Sequence, residues 1–315
     1  MHNIRMIDHR LATLRTFASC GTVTATAELT GLSPSAVSAQ LRELQRSLDI
    51  TLFVRSGRGL KLTAAGQFLV RRSDVLVEEW ERMRAGALHA GEEAPATFAI
   101  GGFSTAASNL LAPLGAHLRA TRPGLQVRVT EADPVRCLDL LTAGRLDLAV
   151  IVATQAGAAA VGDSRFEQVE LLDDPLDVMV PANHRVARRE SVSLEELAEE
   201  DWITEAAGGP YRALFTAAFV AAGLTPKVTH EVIEWETAMA LVGAGLGLGL
   251  LPRLVSLAGA DNVVRVRLGG STKPVRKIVA VTRPGGRASV LVRDSLATLH
   301  ALAQETLKAR IAEEF

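Results

Sequence analysis

The stretch TATAELTGLSPSAVSAQLRELQRSLDITLFVRSGRGLKLT, residues 24–63, decides the first part of the fold. A short helix is predicted around Ala27, whose small side chain lets two helices approach closely, and Gly31 supplies the turn that follows. Ser33 suits the N-cap of a second helix, and Pro34 suits its first turn, where a missing N–H costs no hydrogen bond. This order of elements, completed by a basic hairpin, is typical of a winged helix-turn-helix module.

The second helix is predicted to run to about Leu48, because apolar residues recur on one stripe at helical spacing. The other side carries Ser35, Ser38 and Arg42. A helix enters a major groove when short side chains near its N-terminus let the backbone approach the base edges. We therefore expect Ser33 and Pro34 to shape the helix start, and Ser35 and Ser38 to read bases.

The hairpin that follows is basic, with Arg55, Arg58 and Lys61 spaced three apart around two glycines. A glycine turn presents such cations along a wing beside a duplex, so we expect them, together with Arg42, to hold phosphates or to enter the adjacent minor groove. Helix-turn-helix spacing is common by itself, and a chance pattern is the alternative at this point.

Length and charge indicate more than one domain. The chain has 315 residues, of which 48% are hydrophobic, enough to bury two or three cores. Residues 1–63 contain eight Lys or Arg and four Asp or Glu, a charge of +4 that leaves −5 for the remainder of a chain whose total is −1. A cationic N-terminal segment on an otherwise acidic chain is typical of a phosphate-binding domain joined to a second domain.

The two cysteines, Cys20 and Cys137, cannot build a disulfide framework, and we expect a reducing cytoplasm. Charged residues interrupt the first twenty positions, and no uncharged run is long enough to cross a bilayer, so neither a signal peptide nor a membrane partner is expected. Neither the histidines nor the cysteines show metal-ligand spacing, so no metal and no cofactor are predicted.

A long helix is predicted over residues 64–90, since Pro is absent and apolar residues recur at three- and four-residue steps. Trp80 on an isolated helix would be costly to expose. A second copy of the same helix is the simplest partner, and packing on the chain's own core is the alternative. The apolar positions of this helix are Phe68, Leu69, Val75, Leu76, Trp80 and Met83.

From about residue 97 the pattern changes to strands alternating with helices, which predicts parallel sheets with crossover helices. We expect a strand at 176–180, a helix at 194–198 whose glutamates form a solvated face, and a loop at 204–209. Strands at 263–268 and 277–282 are expected to return to the first sheet. The fold class is therefore α/β behind an all-α winged helix-turn-helix domain. We place the N-terminal domain at 1–63, the linking helix at 64–90 and a two-lobed domain at 91–315. Lobe I is expected at about 97–162 and 269–310, and lobe II at about 163–268.

The run LFVRSGRGLKLTAAG, residues 52–66, resembles the wing-to-linker segment of the LysR-type transcriptional regulators. The resemblance continues through TRPG at 121–124, GRLDL at 144–148 and VGAGLGLGLLP at 242–252. Ala39 departs from it, where the family usually has a basic residue, and so does Thr30, where it usually has leucine.

The resemblance implies a periplasmic-binding-protein-like effector domain and a homodimer or homotetramer that binds operator DNA. It also implies a small-molecule effector and RNA polymerase at the promoter as partners.

Ligands of open α/β sheets bind outside the carboxyl ends of the strands, where helix N-termini favour anions. We therefore expect an effector near polar residues that follow strands or precede helices. Each of the hydroxyl residues is, taken singly, as well explained as an N-cap. The candidate effector residues are Ser104, Thr105, Asp133, Thr204, Gly208 and Thr237.

An enzyme is the main alternative class, since α/β lobes often catalyse reactions. The alternating glycines at 243–249 lack dinucleotide-binding spacing, and neither a phosphate-loop lysine nor a nucleophile elbow is present. No catalytic residue is predicted. A solute-binding protein is the second alternative, against which the N-terminal module argues.

Overall fold

The computed structural model describes residues 8–57, 59–91, 97–153, 165–207, 209–270 and 274–314. They fall in two compact units. The first unit lies within Met1–Glu170 and Val279–His300, and the second within Leu171–Ile278 and Ala301–Phe315.

The first unit begins with the N-terminal module, whose elements are α1 (His9–Cys20), α2 (Val23–Thr30), α3 (Pro34–Leu48), β1 (Phe53–Ser56) and β2 (Gly59–Leu62). Gly31 ends α2 in the left-handed region, at φ 72°, which turns the chain into α3. The predicted winged helix-turn-helix is therefore present, with a hairpin as its wing. Its buried core contains Leu14, Phe17, Ala27, Val37, Leu41, Leu44 and Leu52.

Helix α4 (Ala64–Ala90) is the predicted long helix, and Thr63 caps it by accepting a hydrogen bond from the Gly66 N–H. Two buried ion pairs join it to the rest of the first unit. Arg15 of α1 pairs with Asp74 at 2.9 Å, and Arg283 donates from Nε to Glu81 Oε1 at 2.9 Å.

The two guanidinium groups respond differently to burial. Burial lowers the pKa of Arg15 more than Asp74 raises it. At Arg283 burial also works to lower the pKa, but Glu81 and Asp147 outweigh it and the pKa is raised. The carboxylates around Arg283 therefore compensate for its burial more fully than Asp74 does for that of Arg15.

The remainder of the first unit is a parallel sheet with crossover helices. Its strands lie in the order β4 (Gln126–Glu131), β3 (Thr97–Gly102) and β5 (Leu148–Val152). The connections are α5 (Ser104–Ala106), a π-helical turn (Ala107–Leu111), α6 (Ala112–Thr121) and α7 (Pro134–Thr142). Strand β12 (Val275–Thr282) lies next to β5, as expected for a closing strand that returns to the first sheet.

The second unit has the strand order β6, β10, β8, β9. Its interior is aromatic, because Trp202 packs edge-on against Phe215 and Phe219, with centroids 5.9 Å and 4.9 Å away. The elements of this part of the chain are β6 (Glu167–Pro181), β7 (Ser191–Val192), β8 (Asp201–Glu205), α8 (Pro210–Ala221), β9 (Lys227–Val232), α9 (Trp235–Gly243), β10 (Leu248–Pro252), β11 (Val263–Leu268) and α10 (Val290–Glu314).

Three expectations about these elements need correction. Strand β11 pairs with β6 and β7 in the second unit and does not return to the first sheet. Residues 194–198, predicted as a helix, form only a 3₁₀ turn, Glu195–Leu197, because only residues 193–200 separate strands β7 and β8. The glutamates predicted there as a solvated face are exposed, and Glu196 pairs with Arg189. Thr204, predicted in a loop, lies in β8, where the strand pairs with β9.

The two units also divide the chain differently from the expected lobes. Residues 274–278 and 301–310 belong to the second unit, although they were expected in lobe I. The reason is local bonding: Arg276 pairs with Asp174 at 2.6 Å, and Gln304 Nε2 donates to the Leu171 carbonyl at 3.3 Å. The N-terminal module and α4 group with the first unit, so the boundaries at residues 63 and 90 stay a prediction.

Candidate DNA-binding and effector sites

Helix α3 is built to offer one face. Ser33 caps it, its hydroxyl accepting from the Ala36 N–H at 3.2 Å, and Pro34 follows in the first turn. Val37, Leu41 and Leu44 are buried in the core of the N-terminal module. The opposite side of α3 is left to meet a partner.

That free side carries the short side chains predicted to read bases. Ser35 is exposed and its hydroxyl lies 2.9 Å from that of Ser33, while Ser38 is half-buried one turn further along. Arg42 follows on the same side and is exposed. A helix start with small hydroxyls and one cation behind them matches the requirements of a groove-reading helix.

The wing places its two described cations on opposite faces. Arg55 pairs in register with Leu60, and Lys61 pairs with Val54. Since side chains alternate along a strand, these two pairs point to different sides of the hairpin, and both cations are exposed. Gly57 makes the turn at φ 58°. Arg58 lies outside the described residues.

An open cavity of about 580 Å³ beside α3 is lined by three arginines, and they differ in whether a carboxylate pairs with them. Arg10 pairs with Asp8 at 2.6 Å, and its hydrogen bond lowers the pKa of that carboxyl. Arg46 pairs with Glu43 at 3.4 Å. Among the described residues, no carboxylate pairs with Arg42, which lines the same cavity. Ala39, at the position where a basic residue was expected, lines it too and supplies no charge.

In the first unit, three candidate effector residues meet at one sheet edge. Strands β3 and β4 are parallel neighbours, with Gly102 opposite Glu131. Ser104 and Thr105 follow β3, and Asp133 follows β4, so the carboxyl ends of two adjacent strands hold all three.

The N-cap alternative applies to only one of these residues. Asp133 caps α7 by accepting from the Arg136 N–H at 2.9 Å. The N-cap of α5 is Phe103, whose side chain makes no capping bond. Ser104 is exposed and Thr105 is buried behind it. A hydroxyl that caps nothing at a sheet edge is the better ligand candidate.

In the second unit, the candidate residues are also at the carboxyl edge of parallel strands. Thr204 lies in β8, buried, and within the described residues no hydrogen-bond partner reaches its hydroxyl. Thr237 is exposed in the first turn of α9, which follows β9. Gly208 lies outside the described residues.

Sequence reasoning missed Glu205, which occupies the helix N-terminus expected to favour an anion. Its carboxylate accepts from the Tyr211 N–H at 2.7 Å and the Arg212 N–H at 3.2 Å. Gly209 is needed there, since a Cβ would lie 2.2 Å from the Glu205 Cδ. The signal in the sequence was an acidic residue just ahead of Pro210, at the start of a helix. Two of the first amides of α8 are therefore already satisfied by the chain itself.

The two cysteines differ in their surroundings. Cys137 is buried in the first unit, and burial raises the pKa of its thiol to about 12. Cys20 is half-buried, and its sulfur donates to the Thr16 carbonyl at 3.0 Å. In the described part of the chain, no cluster of metal-ligand side chains is found.

Helix α4 leaves part of its predicted apolar stripe uncovered. Four of its apolar side chains are about half exposed, while Trp80 is half-buried and Val77 fully buried. These four, which we call the open stripe, repeat at seven- and eight-residue steps, the spacing of one helix face. The open stripe consists of Phe68, Val75, Leu76 and Met83.

None of the helices in the described ranges combines the length and apolar character needed to cross a bilayer.

Comparison with known proteins agrees with this architecture. Residues 9–67 match the family model of the bacterial regulatory helix-turn-helix protein, lysR family, and residues 91–304 match that of the LysR substrate binding domain. The regulator TtuA of Agrobacterium vitis is 30% identical over 77% of this chain and 79% of its own length. The dual regulator OxyR of Escherichia coli is 28% identical over 81% of this chain and 82% of its own.

Among solved structures, the LysR family regulator HinK of Pseudomonas aeruginosa superposes with a TM-score of 0.58 at 26% identity, covering 93% of this chain and 96% of its own. LysR-type regulators act by binding DNA and are not enzymes. The matched models span the N-terminal module and both units, and the chain belongs to the LysR family of transcriptional regulators, with a helix-turn-helix DNA-binding domain and an effector-binding domain.

Proposed function

We propose that this regulator reads operator DNA with Ser35 and Ser38 of α3 and holds the flanking phosphates with Arg42, Arg55, Arg58 and Lys61. The observation that carries the proposal is the free face of α3, where the exposed Ser35 and the half-buried Ser38 follow a capped helix start. The described cations of this set have no carboxylate partner among the described residues, unlike Arg10 and Arg46 beside them. Cations without internal partners are available to phosphate oxygens.

A gel-shift or fluorescence-anisotropy titration tests this function. The full-length protein should bind a duplex taken from upstream of its own gene, with an affinity that falls as salt rises. Replacing the short side chains, as in Ser35→Leu or Ser38→Leu, should reduce the preference for that duplex over a scrambled one, because the helix can no longer approach the bases. Salt-independent binding, or none, would contradict the assignment of these residues to DNA.

We also propose that the regulator is a homodimer or a homotetramer, in which the open stripe of α4 packs on its counterpart in a second copy. The four half-exposed apolar side chains support this, since each would otherwise stay in water. Val75→Glu with Leu76→Glu should shift the protein toward the monomer in analytical ultracentrifugation, whereas Glu79→Gln, an exposed change on the same helix, should not.

The effector is proposed to be a small molecule. Its candidate contacts in the first unit are Ser104, Thr105 and Asp133, at one sheet edge. Those proposed in the second unit are Thr204, Gly208 and Thr237. Ser104 supports this most directly, since it is an exposed hydroxyl at a strand end and caps no helix. A metabolite screen by thermal shift should find a stabilising compound, and Ser104→Ala with Thr105→Ala should abolish its effect. An unchanged shift in this variant would contradict the site.

Peroxide sensing by a cysteine is a second candidate, because relatives are named hydrogen peroxide-inducible genes activators. The thiolate is the form that reacts with peroxide, and the raised pKa of Cys137 keeps that thiol protonated. We therefore favour a reversibly bound effector. We also propose that the regulator acts in the cytoplasm and has RNA polymerase as a partner, because a regulator bound at an operator acts on transcription from that promoter.

A further inference from the structure

The N-terminal module of this chain is bonded to the effector-binding part of the first unit at a second place besides α4. The Ser19 hydroxyl in α1 donates to the Asp139 carboxylate in α7 at 2.6 Å. Arg145, just after α7, donates from Nη1 to the Leu29 carbonyl in α2 at 3.1 Å. Both bonds join residues more than a hundred positions apart in the sequence, so they are tertiary contacts between two separately matched segments.

Leu29 extends this contact into an apolar core. Its side chain is fully buried, although it belongs to the N-terminal module. It clusters with Cys137, Leu138 and Leu141 of α7 and not with the core of its own module. Cys20, half-buried at the end of α1, packs against the same cluster. Leu29 lies on the surface of α2 and is shielded from solvent by α7. An apolar side chain covered in this way marks a docking surface.

Helix α7 is the element that receives this contact, and it also begins at the proposed effector edge. Asp133 caps its N-terminus beside β3 and β4. The helix has nine residues and is therefore about 13 Å long. Asp139 lies in its last turn and a half, and Arg145 follows its end. One short rigid element thus contacts the effector edge at one end and the N-terminal module at the other.

The docking leaves the DNA-reading face open. Ser33, Ser35 and Arg42 remain exposed in the docked arrangement. The contact therefore fixes the orientation of the N-terminal module without covering the groups that we assign to DNA.

We propose that α7 and Arg145 form an intramolecular docking site for α1 and α2, through which the state of the effector edge controls the orientation of the N-terminal module. The regulatory half of this inference rests on the proposed DNA-binding function, and the docking half does not. A ligand at the edge acts on the module only if it favours the docked or the released state, which is the condition for coupling between two sites.

Hydrogen–deuterium exchange of the full-length protein without DNA tests the docking. In Leu29→Gln, the amides of α7 and residues 143–146 should exchange at least about tenfold faster, because the packing that holds them is lost. The amides of α3 should keep their protection, since Leu29 lies outside that core. Glu28→Gln, an exposed change one residue away, is the matched control and should exchange like wild type. Loss of protection in α3, or unchanged α7, would overturn the docking.

Asp139→Ala tests the same contact from α7, because it removes the acceptor of the Ser19 hydroxyl. This change is smaller than Leu29→Gln, so it can test the docking even if Leu29→Gln does not fold. It should speed exchange at residues 17–31 while leaving α3 protected. In thermal unfolding, Ser19→Ala should add no further destabilisation to Asp139→Ala, because both remove the same hydrogen bond. Fully additive losses would show that the two side chains do not interact.

The regulatory half is tested by adding a duplex from upstream of the protein's own gene. Duplex binding should change exchange in α7 of the wild type, and Asp139→Ala should lose that response while still binding the duplex, because linkage is reciprocal. If the wild type binds but α7 does not respond, the regulatory half is overturned and the DNA-binding function stands. If the wild type does not bind, the proposed function fails together with the regulatory half, and the exchange results without DNA still decide the docking.

Discussion

Arg42 and Arg55 of the N-terminal module differ from Arg253 and Arg265 of the second unit in what surrounds their guanidinium groups. In the second unit, Arg265 is fully buried and faces Asp177 at 3.4 Å, and Arg253 faces the same carboxylate at 2.6 Å. In the N-terminal module, Arg42 and Arg55 are exposed and no described carboxylate pairs with them. These arginines hold the fold together in the second unit, and in the N-terminal module we propose that they bind DNA.

The difference teaches that the role of a charge follows from its partners more than from its type. A buried guanidinium is tolerated only when carboxylates and carbonyls replace the water that it lost. Arg265 meets this condition, since it also donates to the Pro252 and Val255 carbonyls. An exposed cation without an internal partner costs the fold nothing and keeps its full attraction for a phosphate.

The largest expected effect is loss of the buried carboxylate. Asp177→Ala removes the charge that Arg253 and Arg265 share, and the free energy of unfolding should fall by about 3–5 kcal/mol. Urea unfolding followed by the fluorescence of Trp202, which is buried in the same unit, measures the change. Asp173→Ala on the same strand is the control, because Asp173 is exposed. Equal stability of the two variants would mean that the buried arginines do not depend on the Asp177 carboxylate.

The second prediction extends the comparison from arginine to a buried thiol. The pKa of Cys137 is raised from 9.0 to about 12, so the folded state holds the thiol proton more tightly than the unfolded chain. The resulting stability is fully present below about pH 9 and is lost as pH rises toward about 12. By about pH 10.5 the loss should reach about 2 kcal/mol.

Urea unfolding at several alkaline pH values, in wild type and in Cys137→Ala, isolates this effect. The variant lacks the thiol and should lose less stability than wild type over the same pH range, while the other alkaline groups titrate in both proteins. Parallel pH profiles would mean that burial does not perturb this thiol.

The third prediction concerns the exposed cations of the wing. Arg55→Ala with Lys61→Ala removes two cations from the wing, and each phosphate contact contributes about 0.9 to the slope of log affinity against log salt. Between about 50 and 200 mM salt, the affinity of wild type for DNA should therefore fall about tenfold more than that of the variant. Stability should stay within about 0.5 kcal/mol of wild type, since neither side chain is buried.

Anisotropy titrations at several salt concentrations give this slope, and urea unfolding gives the stability. Because Arg55 and Lys61 lie on opposite faces of the hairpin, the two single variants show whether one face or both meet the duplex. A slope that matches wild type in the double variant would remove the wing from the DNA-binding surface.

Sequence reasoning succeeded where the determining contacts are local. Helix α3 begins at Pro34 and ends at Leu48, as expected, because the Ser33 cap, the proline and the apolar stripe all act within a few residues. The parallel sheets were also predictable, since their strands are short apolar runs between helices. The placement of Ser104, Thr105 and Asp133 at one edge follows from that alternation.

It failed where a residue is satisfied by a distant part of the chain. Strand β6 was expected only over 176–180 but extends over Glu167–Pro181, because Asp174, just before the expected start, is a residue typical of loops. Its arginine partner, Arg276, lies 102 positions further along the chain, which no local pattern reveals. The direction in which Leu29 points, into α7, has the same kind of origin.

The smallest expected effect belongs to an exposed arginine that has a partner. Arg122 pairs with Asp294 in the first unit, and both side chains are partly exposed. Arg122→Ala should lower the free energy of unfolding by less than about 1 kcal/mol, because water screens the pair and ordering two long side chains costs entropy. It should leave the salt dependence of DNA binding unchanged, since Arg122 is far along the chain from the module that we assign to DNA. Urea unfolding and salt titration of this variant test whether burial and a carboxylate partner together determine the role of an arginine in this protein. A loss of stability as large as that of Asp177→Ala would mean that burial is not the deciding variable. A reduced salt slope would mean that a carboxylate partner does not keep a cation from DNA.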